Sequence, residues 1–263
     1  MNILVCVKQV PDTDKITIDP VRHTLQREGA SAILNPYDAN ALELALRMRE
    51  TSGGMVTVLT MGPMQAKAML ESCLASGADR AYLMTGKIFA GADTLATAHA
   101  LMAAIRHLEQ EASFDLILCG KQTLDGDTAQ VGPMLAELLN IPQITGIREA
   151  SSDASGITAL RQTSQGQEHL RCPMPALATV SATPWPLRIP SLKSKLAARK
   201  KEIPVLDETV LQLDPSLCGL SGSPTRVVST AVRASNRKCA MIHDVRQLAQ
   251  LLTEQKGGAD HEA

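Results

Sequence analysis

The sequence is poor in aromatic residues and has no excess of charge of either sign. Phe, Trp and Tyr make up 2% of the 263 residues, and 26 Lys and Arg face 27 Asp and Glu, for a formal net charge of −1. Proteins that bind single-stranded nucleic acid use aromatic platforms and a basic groove. The composition therefore argues against a nucleic-acid partner, and an apolar content of 44% predicts a sizeable core of aliphatic side chains.

Hydrophobic segments that direct a chain to or through a membrane are also missing. No uninterrupted apolar run approaches the roughly 20 residues of a membrane span. Residues 1–7 run straight into a strand-like stretch, without the basic flank, apolar stretch and small-residue cleavage site of a signal peptide. We therefore expect a soluble, cytoplasmic protein without a membrane span.

Motifs for metal binding and for covalent catalysis are absent from the sequence as well. No two of the six cysteines lie at a metal-ligand spacing, and the pair His169 and Cys172 has no second pair near it. There is no Gly-x-Ser-x-Gly elbow, and none of the six histidines stands in a recognisable acid–base pairing. We expect buried or free thiols in a reducing compartment and no metal site, and any redox chemistry would belong to a bound cofactor.

Short apolar runs alternate with helical patterns through the first half of the chain. The runs predict strands, several of them continuous, as in parallel strands covered on both faces. These strands lie at residues 3–7, 55–60, 81–84, 115–119 and 143–145. Helices are predicted at residues 38–50, 64–76, 94–108 and 128–139. The order predicts an α/β fold with a doubly wound parallel sheet over about residues 1–146, a nucleotide-binding topology shared with adenine nucleotide hydrolases.

The pattern changes after about residue 146. Strands at 158–162, 169–171 and 176–180 predict a small β-rich extension, and a polar turn is expected at 151–156. The prolines of 183–191 predict a loop, which a basic and potentially helical segment follows. We therefore place one nucleotide-binding domain at 1–205, with the extension and a recognition loop at 147–205. The remainder, 206–263, is predicted to be a partner-wrapping tail with a short helix near 242–255.

The strongest local motif spans residues 119–132 and reads Cys-Gly-Lys-Gln-Thr-Leu-Asp-Gly-Asp-Thr-Ala-Gln-Val-Gly. It leads from the carboxyl end of a predicted strand into a helix, at the sheet edge where ligands bind. Gly120 and Gly126 allow close backbone approach, and Asp127 or Thr128 can cap a helix N-terminus that suits a phosphate. The glycine spacing fits neither a Walker loop nor a dinucleotide fingerprint. The segment is thus either a nucleotide-binding loop or a well-capped loop that binds nothing.

Further caps are predicted at the same edge of the sheet. Thr94 and Thr97 lie one turn apart at the start of the third helix and can both face a phosphate. Pro36 fixes Asn35 in an extended conformation, and Asp38 can cap the first helix. Each cap alone is more often structural than a ligand contact. Several at one edge predict a nucleotide cleft.

These segments, taken in order, resemble the beta subunit of electron-transfer flavoproteins. The resemblance rests on the sequences at 7–12, 35–38, 77–80, 120–132 and 190–192, the last followed by Lys200 and Lys201. It runs from residue 1 to about 205. It implies a heterodimer with an alpha subunit, in which the beta subunit binds an adenine nucleotide. Electrons then pass between NADH or dehydrogenases, such as an acyl-CoA-dehydrogenase-like flavoenzyme, and a partner flavoprotein.

The family holds one of two nucleotides in this site. The resemblance implies AMP, as a structural filler, in the mitochondrial type, and a second FAD that takes hydride from NADH in the electron-bifurcating type. Residues 91–97 and 127–131 resemble the bifurcating type, so we expect FAD, with AMP as the alternative. The predicted cofactor contacts are Cys6, Asn35, Pro36, Asp38, Met61, Asp93, Thr94, Thr97, Cys119, Gly120, Lys121, Gln122, Asp125, Gly126, Asp127, Thr128, Ala129, Gln130 and Val131.

The resemblance also assigns partner docking to Arg188 and Leu192. It implies that Leu192 is an exposed apolar anchor that enters a dehydrogenase partner, and the alternative is that Leu192 packs on the chain's own core. Trp-Pro-Leu at 185–187 stands where the family usually has Asn-Glu-Pro before the shared Arg188. Ser-Gln at 164–165 likewise replaces an acidic residue and glycines.

Two other classes of function share this pattern. An adenine nucleotide hydrolase has the same sheet topology but needs a phosphate-transferring constellation, which the sequence does not contain. A nucleotide-binding regulatory module needs only the cleft. Bound flavin absorbs blue light, so a visible spectrum separates a flavin carrier from both alternatives.

Overall fold

Strands and helices alternate through the first of two compact units, Met1–Val227 and Val228–Ala263. The structure is a computed structural model that describes residues 1–12, 17–18, 25–26, 32–228, 241–242 and 244–256. Its strands are β1 (Asn2–Cys6), β2 (Gln9–Pro11), β3 (Thr17–Ile18), β4 (Leu25–Gln26), β5 (Ala32–Leu34), β6 (Met55–Met61), β7 (Arg80–Met84), β8 (Leu116–Gly120), β9 (Gln143–Asp153), β10 (Gly156–Thr163), β11 (Gly166–Cys172), β12 (Ala176–Val180) and β13 (Val205–Leu206).

The helices connect the strands and continue into the second unit. They are α1 (Pro36–Ser52), α2 (Lys67–Ser76), α3 (Thr94–Leu108), α4 (Val131–Leu139), α5 (Leu192–Ala198), α6 (Glu208–Leu211) and α7 (Val245–Lys256), with 3-10 turns at Met64–Ala66, Lys87–Phe89 and Pro215–Leu217. No helix of the described ranges has the length and apolarity to cross a membrane.

Within the described residues, nine strands form the main sheet in the order β11-β10-β9-β12-β8-β1-β6-β7-β13. The strands from β9 to β13 in this order are parallel, and β10 and β11 extend one edge as an antiparallel hairpin. The predicted doubly wound parallel sheet is confirmed. β1 and β8 are neighbours, as expected of two apolar runs that both need cover, with Cys6 opposite Cys119.

The alternation of side chains along β1 divides the core into two layers. Ile3 and Val5 point to the face that α1, α2 and α5 cover, whereas Leu4 and Cys6 point to the face that α3, α4 and α6 cover. A strand with apolar residues at every position is the sequence signature of a parallel strand buried on both sides. The five cysteines among the described residues are free and buried, as predicted.

More of the second half of the chain belongs to the main sheet than the sequence predicts. β12 lies between β8 and β9 in the main sheet, and β9 continues to Asp153, through the residue at which the extension was expected to begin. The polar turn is shorter than predicted and lies between Asp153 and Gly156. Only the hairpin of β10 and β11 forms an extension at the edge.

The chain also stays with the sheet beyond residue 205, where the sequence places the start of the tail. β13 pairs with β7, and Leu206, Leu211 and Cys218 are buried. The first compact unit accordingly reaches Val227. In the second unit, α7 overlaps the helix predicted near 242–255.

Candidate functional site

A cleft opens at the carboxyl ends of β1 and β8. After β1 the chain adds β6 and β7 on one side of β1, and β8 then returns to the other side. Helices α1 and α2 cover one face and α3 and α4 the other. The sheet therefore has a topological switch point between β1 and β8, which is where open α/β sheets bind ligands. The cleft at this point has a volume of about 380 Å³.

Most of the predicted cofactor contacts line this cleft. They are Cys6, Asp38, Met61, Asp93, Thr94, Thr97, Cys119, Gly120, Lys121, Gln122, Gly126, Thr128, Ala129, Gln130 and Val131. Lining residues that the sequence analysis did not select are Val7, Lys8, Phe89, Gly91, Ala92, Leu101, Thr123 and Gly132. Several of these belong to segments already chosen for their position at strand ends, so position was a usable signal. Phe89 and Leu101 are apolar, and nothing in the sequence distinguishes them from residues of the core.

A buried carboxylate forms part of the cleft wall. Asp38 is 4% exposed and accepts hydrogen bonds from Lys8 N (2.7 Å) and Gly120 N (3.1 Å), which join the exits of β1 and β8. A Cβ at Gly120 would lie 2.1 Å from Asp38 Oδ1, so this contact requires glycine. Burial raises the pKa of Asp38 to about 7 against these hydrogen bonds and the charge of Lys8. The prediction that Asp38 caps α1 is wrong, because Asp38 lies within the first turn.

Asn35 occupies the N-cap position of α1, but its side chain bonds elsewhere. It is fully buried, donates from Nδ2 to Gln122 O (2.9 Å) and accepts from Leu124 N at 3.3 Å. Pro36 holds it in an extended conformation with ψ 127°, as predicted. Asn35 and Pro36 thus lie outside the lining of the cleft, and the Asn35 side chain fastens the 120–124 loop that forms one wall.

The loop before α4 is unlike the predicted helix start. Asp127 and Ala129 have left-handed φ angles of 51° and 55°, so α4 begins at Val131 rather than at residue 128, and neither Asp127 nor Thr128 caps it. Within the described residues, the N-cap residue Gln130 makes no side-chain capping bond. The first N–H groups of α4 are therefore left for another acceptor.

Two carboxylates of this loop support the wall from outside the cleft. Asp125 accepts hydrogen bonds from Lys8 Nζ at 2.7 and 2.9 Å, and Asp127 accepts one from Gln122 Nε2. Burial raises the pKa of Asp125, but the hydrogen bonds from Lys8 and Thr123 outweigh it and keep the pKa below its ordinary value. Both carboxylates thus hold residues that line the cleft.

The start of α3 forms the opposite wall. Asp93 caps the helix by accepting from Leu95 N and Ala96 N, both at 3.0 Å. The Thr94 hydroxyl donates to Gln130 Oε1 (3.0 Å), which joins this wall to the residue before α4. The starts of two helices on opposite walls therefore open into one cleft.

Comparison with known proteins identifies the fold family. The model of the electron transfer flavoprotein domain matches residues 23–211. The chain is 48% identical over 238 residues to the electron transfer flavoprotein subunit beta of Thermoanaerobacterium thermosaccharolyticum, covering 90% of each protein. It is 42% identical over 262 residues to protein FixA of Bradyrhizobium diazoefficiens, covering 97% of this chain and 90% of FixA.

The chain belongs to the electron transfer flavoprotein beta subunit family.

A third relative of this chain is the caffeyl-CoA reductase-Etf complex subunit CarD of Acetobacterium woodii. The two are 43% identical over 228 residues, which cover 86% of each protein. The described residues of the chain contain no group of three His, Cys, Asp or Glu side chains that could hold a metal ion.

The chain also presents an apolar surface at the start of α5. Leu192, the first residue of this helix, is 74% exposed, and Ile189 is 92% exposed. Ser191 caps the helix through a hydrogen bond from Ser194 N (3.1 Å). The alternative in which Leu192 packs on the chain's own core is therefore wrong. Because the sequence analysis predicts partner docking here, we call residues 183–192 the docking loop.

A buried carboxylate on α1 holds the docking loop. Glu43, with 2% of its side chain exposed, accepts hydrogen bonds from Arg188 N (3.1 Å), Nε (3.0 Å) and Nη2 (3.0 Å). Arg47 Nε also donates to Glu43 (2.9 Å), and the Arg47 guanidinium lies 4.4 Å from the centre of the Trp185 ring. Burial raises the pKa of Glu43, but the bonds from Arg188 outweigh it and keep the pKa below its usual value. Arg188 thus faces α1.

Proposed function

We propose that this chain is the beta subunit of a heterodimeric electron-transfer flavoprotein and that its cleft binds FAD. The observation that carries the proposal is the position of the cleft, at the switch point of a sheet whose family is established. The complex passes electrons between NADH or dehydrogenases and a flavoprotein partner. When bound, the flavin supplies the redox chemistry, and this chain supplies its binding site.

The donors around the cleft suit a phosphate or pyrophosphate. The left-handed residues Asp127 and Ala129 give the loop backbone angles of the kind found in anion-binding nests. The uncapped start of α4 adds free N–H groups and the positive end of a helix dipole. Hydroxyls of Thr94 and Thr97 line the opposite wall. Gly120 accepts no side chain because Asp38 occupies that space, and its backbone lines the cleft at the end of β8.

The choice of FAD over AMP rests on the family branch. The segments 91–97 and 127–131 resemble the electron-bifurcating type, and the related CarD is by name part of a reductase–Etf complex. AMP fills the same adenine-nucleotide site in the alternative. Either nucleotide uses the same phosphate donors, so the walls described above support both, and the cofactor has to be identified directly.

The test is the nucleotide that leaves the co-purified heterodimer on denaturation. A second flavin per heterodimer, with absorbance in the blue, supports FAD, and AMP in equal amount supports the alternative. The variant Thr94→Val/Thr97→Val should lower the nucleotide content of the beta site. Thr51→Val is the control, because the exposed Thr51 lies at the far end of α1, where its hydroxyl donates to Met48 O. Equal nucleotide content in both variants would argue against the cleft.

We further propose an alpha subunit, NADH and an acyl-CoA-dehydrogenase-like flavoenzyme as partners. The exposed Leu192 is the docking anchor, and Arg188 acts by positioning it. The exposed leucines of α7, in the predicted partner-wrapping tail, are available to contact the alpha subunit. Five buried, free cysteines suit a reducing compartment, so we propose a cytoplasmic location.

A further inference from the structure

A segment far along the chain lies behind one wall of the cleft. Residues 218–225, which we call the strap, run along the loop 88–93 that leads into α3. Leu220 N donates to Ala90 O (3.0 Å), and Asp93 N donates to Ser223 Oγ (2.8 Å). Residues some 130 positions apart are thus joined at the wall that Gly91, Asp93 and Thr94 form.

The carboxylate of Asp93 connects the strap to the start of α3. One oxygen, Oδ1, accepts from the first amides of α3. The other, Oδ2, accepts from Thr225 N (3.1 Å) and Thr225 Oγ1 (2.8 Å). Because one rigid group makes both sets of bonds, movement of the strap moves the start of α3, where Thr94 and Thr97 line the cleft.

The strap is shaped to lie against this loop. Gly219 has a left-handed φ of 52°, and a Cβ there would lie 2.1 Å from Ile88 O. Cys218 is buried, and the Ser223 hydroxyl donates to Gly219 O at 2.7 Å, which closes the strap on itself. The hydroxyl of Ser223 and the backbone of Gly219 therefore fix the strap at a short distance from the wall.

We propose that Ser223 and Thr225 are positioning residues of the nucleotide site. They touch the wall from behind and hold Asp93, and through it the start of α3, in the position that the ligand's phosphates require. The inference rests on the proposed nucleotide function of the cleft. Because coupling between two sites is reciprocal, nucleotide in the cleft also stabilises the strap against opening.

The experiment uses the full chain in its co-purified complex and follows release of the bound nucleotide after dilution. The variant Ser223→Ala/Thr225→Val removes both hydroxyls and leaves the Thr225 amide in place. We expect release about tenfold faster than in the wild type, since loss of the hydrogen bonds that hold the backbone and carboxylate of Asp93 acts mainly on dissociation. The conservative variant Thr225→Ser keeps a hydroxyl at this position and should release nucleotide at the wild-type rate.

The matched control is Ser216→Ala. The Ser216 hydroxyl donates to the Asp214 carboxylate at 2.7 Å in the same part of the chain, but neither residue lines the cleft. Ser216→Ala should release nucleotide at the wild-type rate. Hydrogen exchange provides a second measurement: the amides of Leu220 and Thr225 should exchange more slowly when FAD or AMP is added in excess.

The outcomes separate the two proposals. Wild-type release rates in the double variant would overturn the positioning role and leave the site standing. If Ser216→Ala or Thr225→Ser releases nucleotide as fast as the double variant, the faster release reflects a general loss of stability, and the positioning role is again overturned. If the double variant does not fold, Ser223→Ala alone carries the same test. A wild-type complex that holds no nucleotide and takes up neither FAD nor AMP would overturn the proposed site and this inference together.

Discussion

Helix α1 serves two regions that are built in different ways. Its first turn supports the cleft, where Asn35 and Asp38 bond to the backbone of other segments. Its second turn supports the docking loop, where Glu43 bonds to the Arg188 and Arg47 guanidinium groups. The cleft is thus fixed by backbone groups at close approach, and the docking loop by charges around one buried carboxylate.

The two regions should therefore tolerate different kinds of substitution. Backbone contacts at the cleft leave no room for an added atom, so steric changes there should be severe. The docking loop keeps its apolar residues exposed and is held through a few side chains, so single polar substitutions should release it without disturbing the cleft. Each prediction below tests whether the two regions fail separately.

The largest effect is expected for Gly120→Ala. The new Cβ would lie 2.1 Å from Asp38 Oδ1 and 2.9 Å from Asp38 N. The backbone of α1 would have to move to relieve these contacts. We expect the free energy of unfolding to fall by roughly 3 kcal/mol or more. Urea denaturation measures it. The control is Gly62→Ala, whose nearest contact is Ala66 Cβ at 3.4 Å. Equal losses in the two variants would contradict the close approach at the cleft.

Glu43→Gln should loosen the docking loop and spare the cleft. It removes the charge that Arg188 and Arg47 share inside the protein, at a cost of roughly 2–3 kcal/mol in unfolding free energy. Trp185 is the only tryptophan of the sequence, so its fluorescence reports the loop directly. The control, Glu50→Gln, removes a partner of Arg188 that is 50% exposed and should cost less than about 1 kcal/mol. A fall in nucleotide content would show that the two regions are not separate.

Leu192→Ala should weaken docking alone. Burying a leucine contributes on the order of 1.5–3 kcal/mol, roughly a ten- to hundredfold change in affinity for the acceptor dehydrogenase. Stability and nucleotide content should stay at wild-type values, because Leu192 is 74% exposed. Electron transfer at varied acceptor concentration measures the effect. Leu217→Ala, at a leucine that is 46% exposed outside the docking loop, should leave transfer unchanged. A lower melting temperature without slower transfer would overturn the anchor.

The smallest effect, taken per pH unit, is a pH dependence from Asp38. Burial holds its pKa near 7 in the folded chain, whereas the unfolded chain loses this proton near pH 3.8. Folding therefore takes up a proton between these values, and the contribution of Asp38 to stability falls as pH rises from about 4 to 7, by at most about 1.4 kcal/mol per pH unit. The difference in unfolding free energy between wild type and Asp38→Asn should follow this curve and level off above pH 7. A difference that is independent of pH would show that Asp38 is ionised throughout.

Regular elements were predictable where the sequence pattern is periodic. The strands of the first half and α3 follow from apolar runs and helical spacing, since burial on two faces leaves no alternative for such residues. The start of α4 was not predictable in this way. Asp127 and Ala129 adopt left-handed angles that their residue types do not demand, and contacts with Gln122 and the rest of the loop impose them.

Long-range pairings limit prediction of the site in the same manner. Position after a strand identified the segments around Cys6, Gly120 and Thr94, because the carboxyl ends of parallel strands share one edge. It did not show that Asn35 bonds to the 120–124 loop or that Lys8 takes Asp125 as its partner. Such bonds depend on distances between segments that only the packed chain sets.

The sequence by itself determined the parallel sheet, its aliphatic core and the edge at which a ligand can bind, because periodicity and composition act locally. It also carried the family, through motifs read in order. The tertiary structure decided which polar residues face the cleft and which support it, that Leu192 is exposed, and that the strap bonds to Asp93. These outcomes depend on contacts between residues far apart in the chain, and no local pattern contains that information.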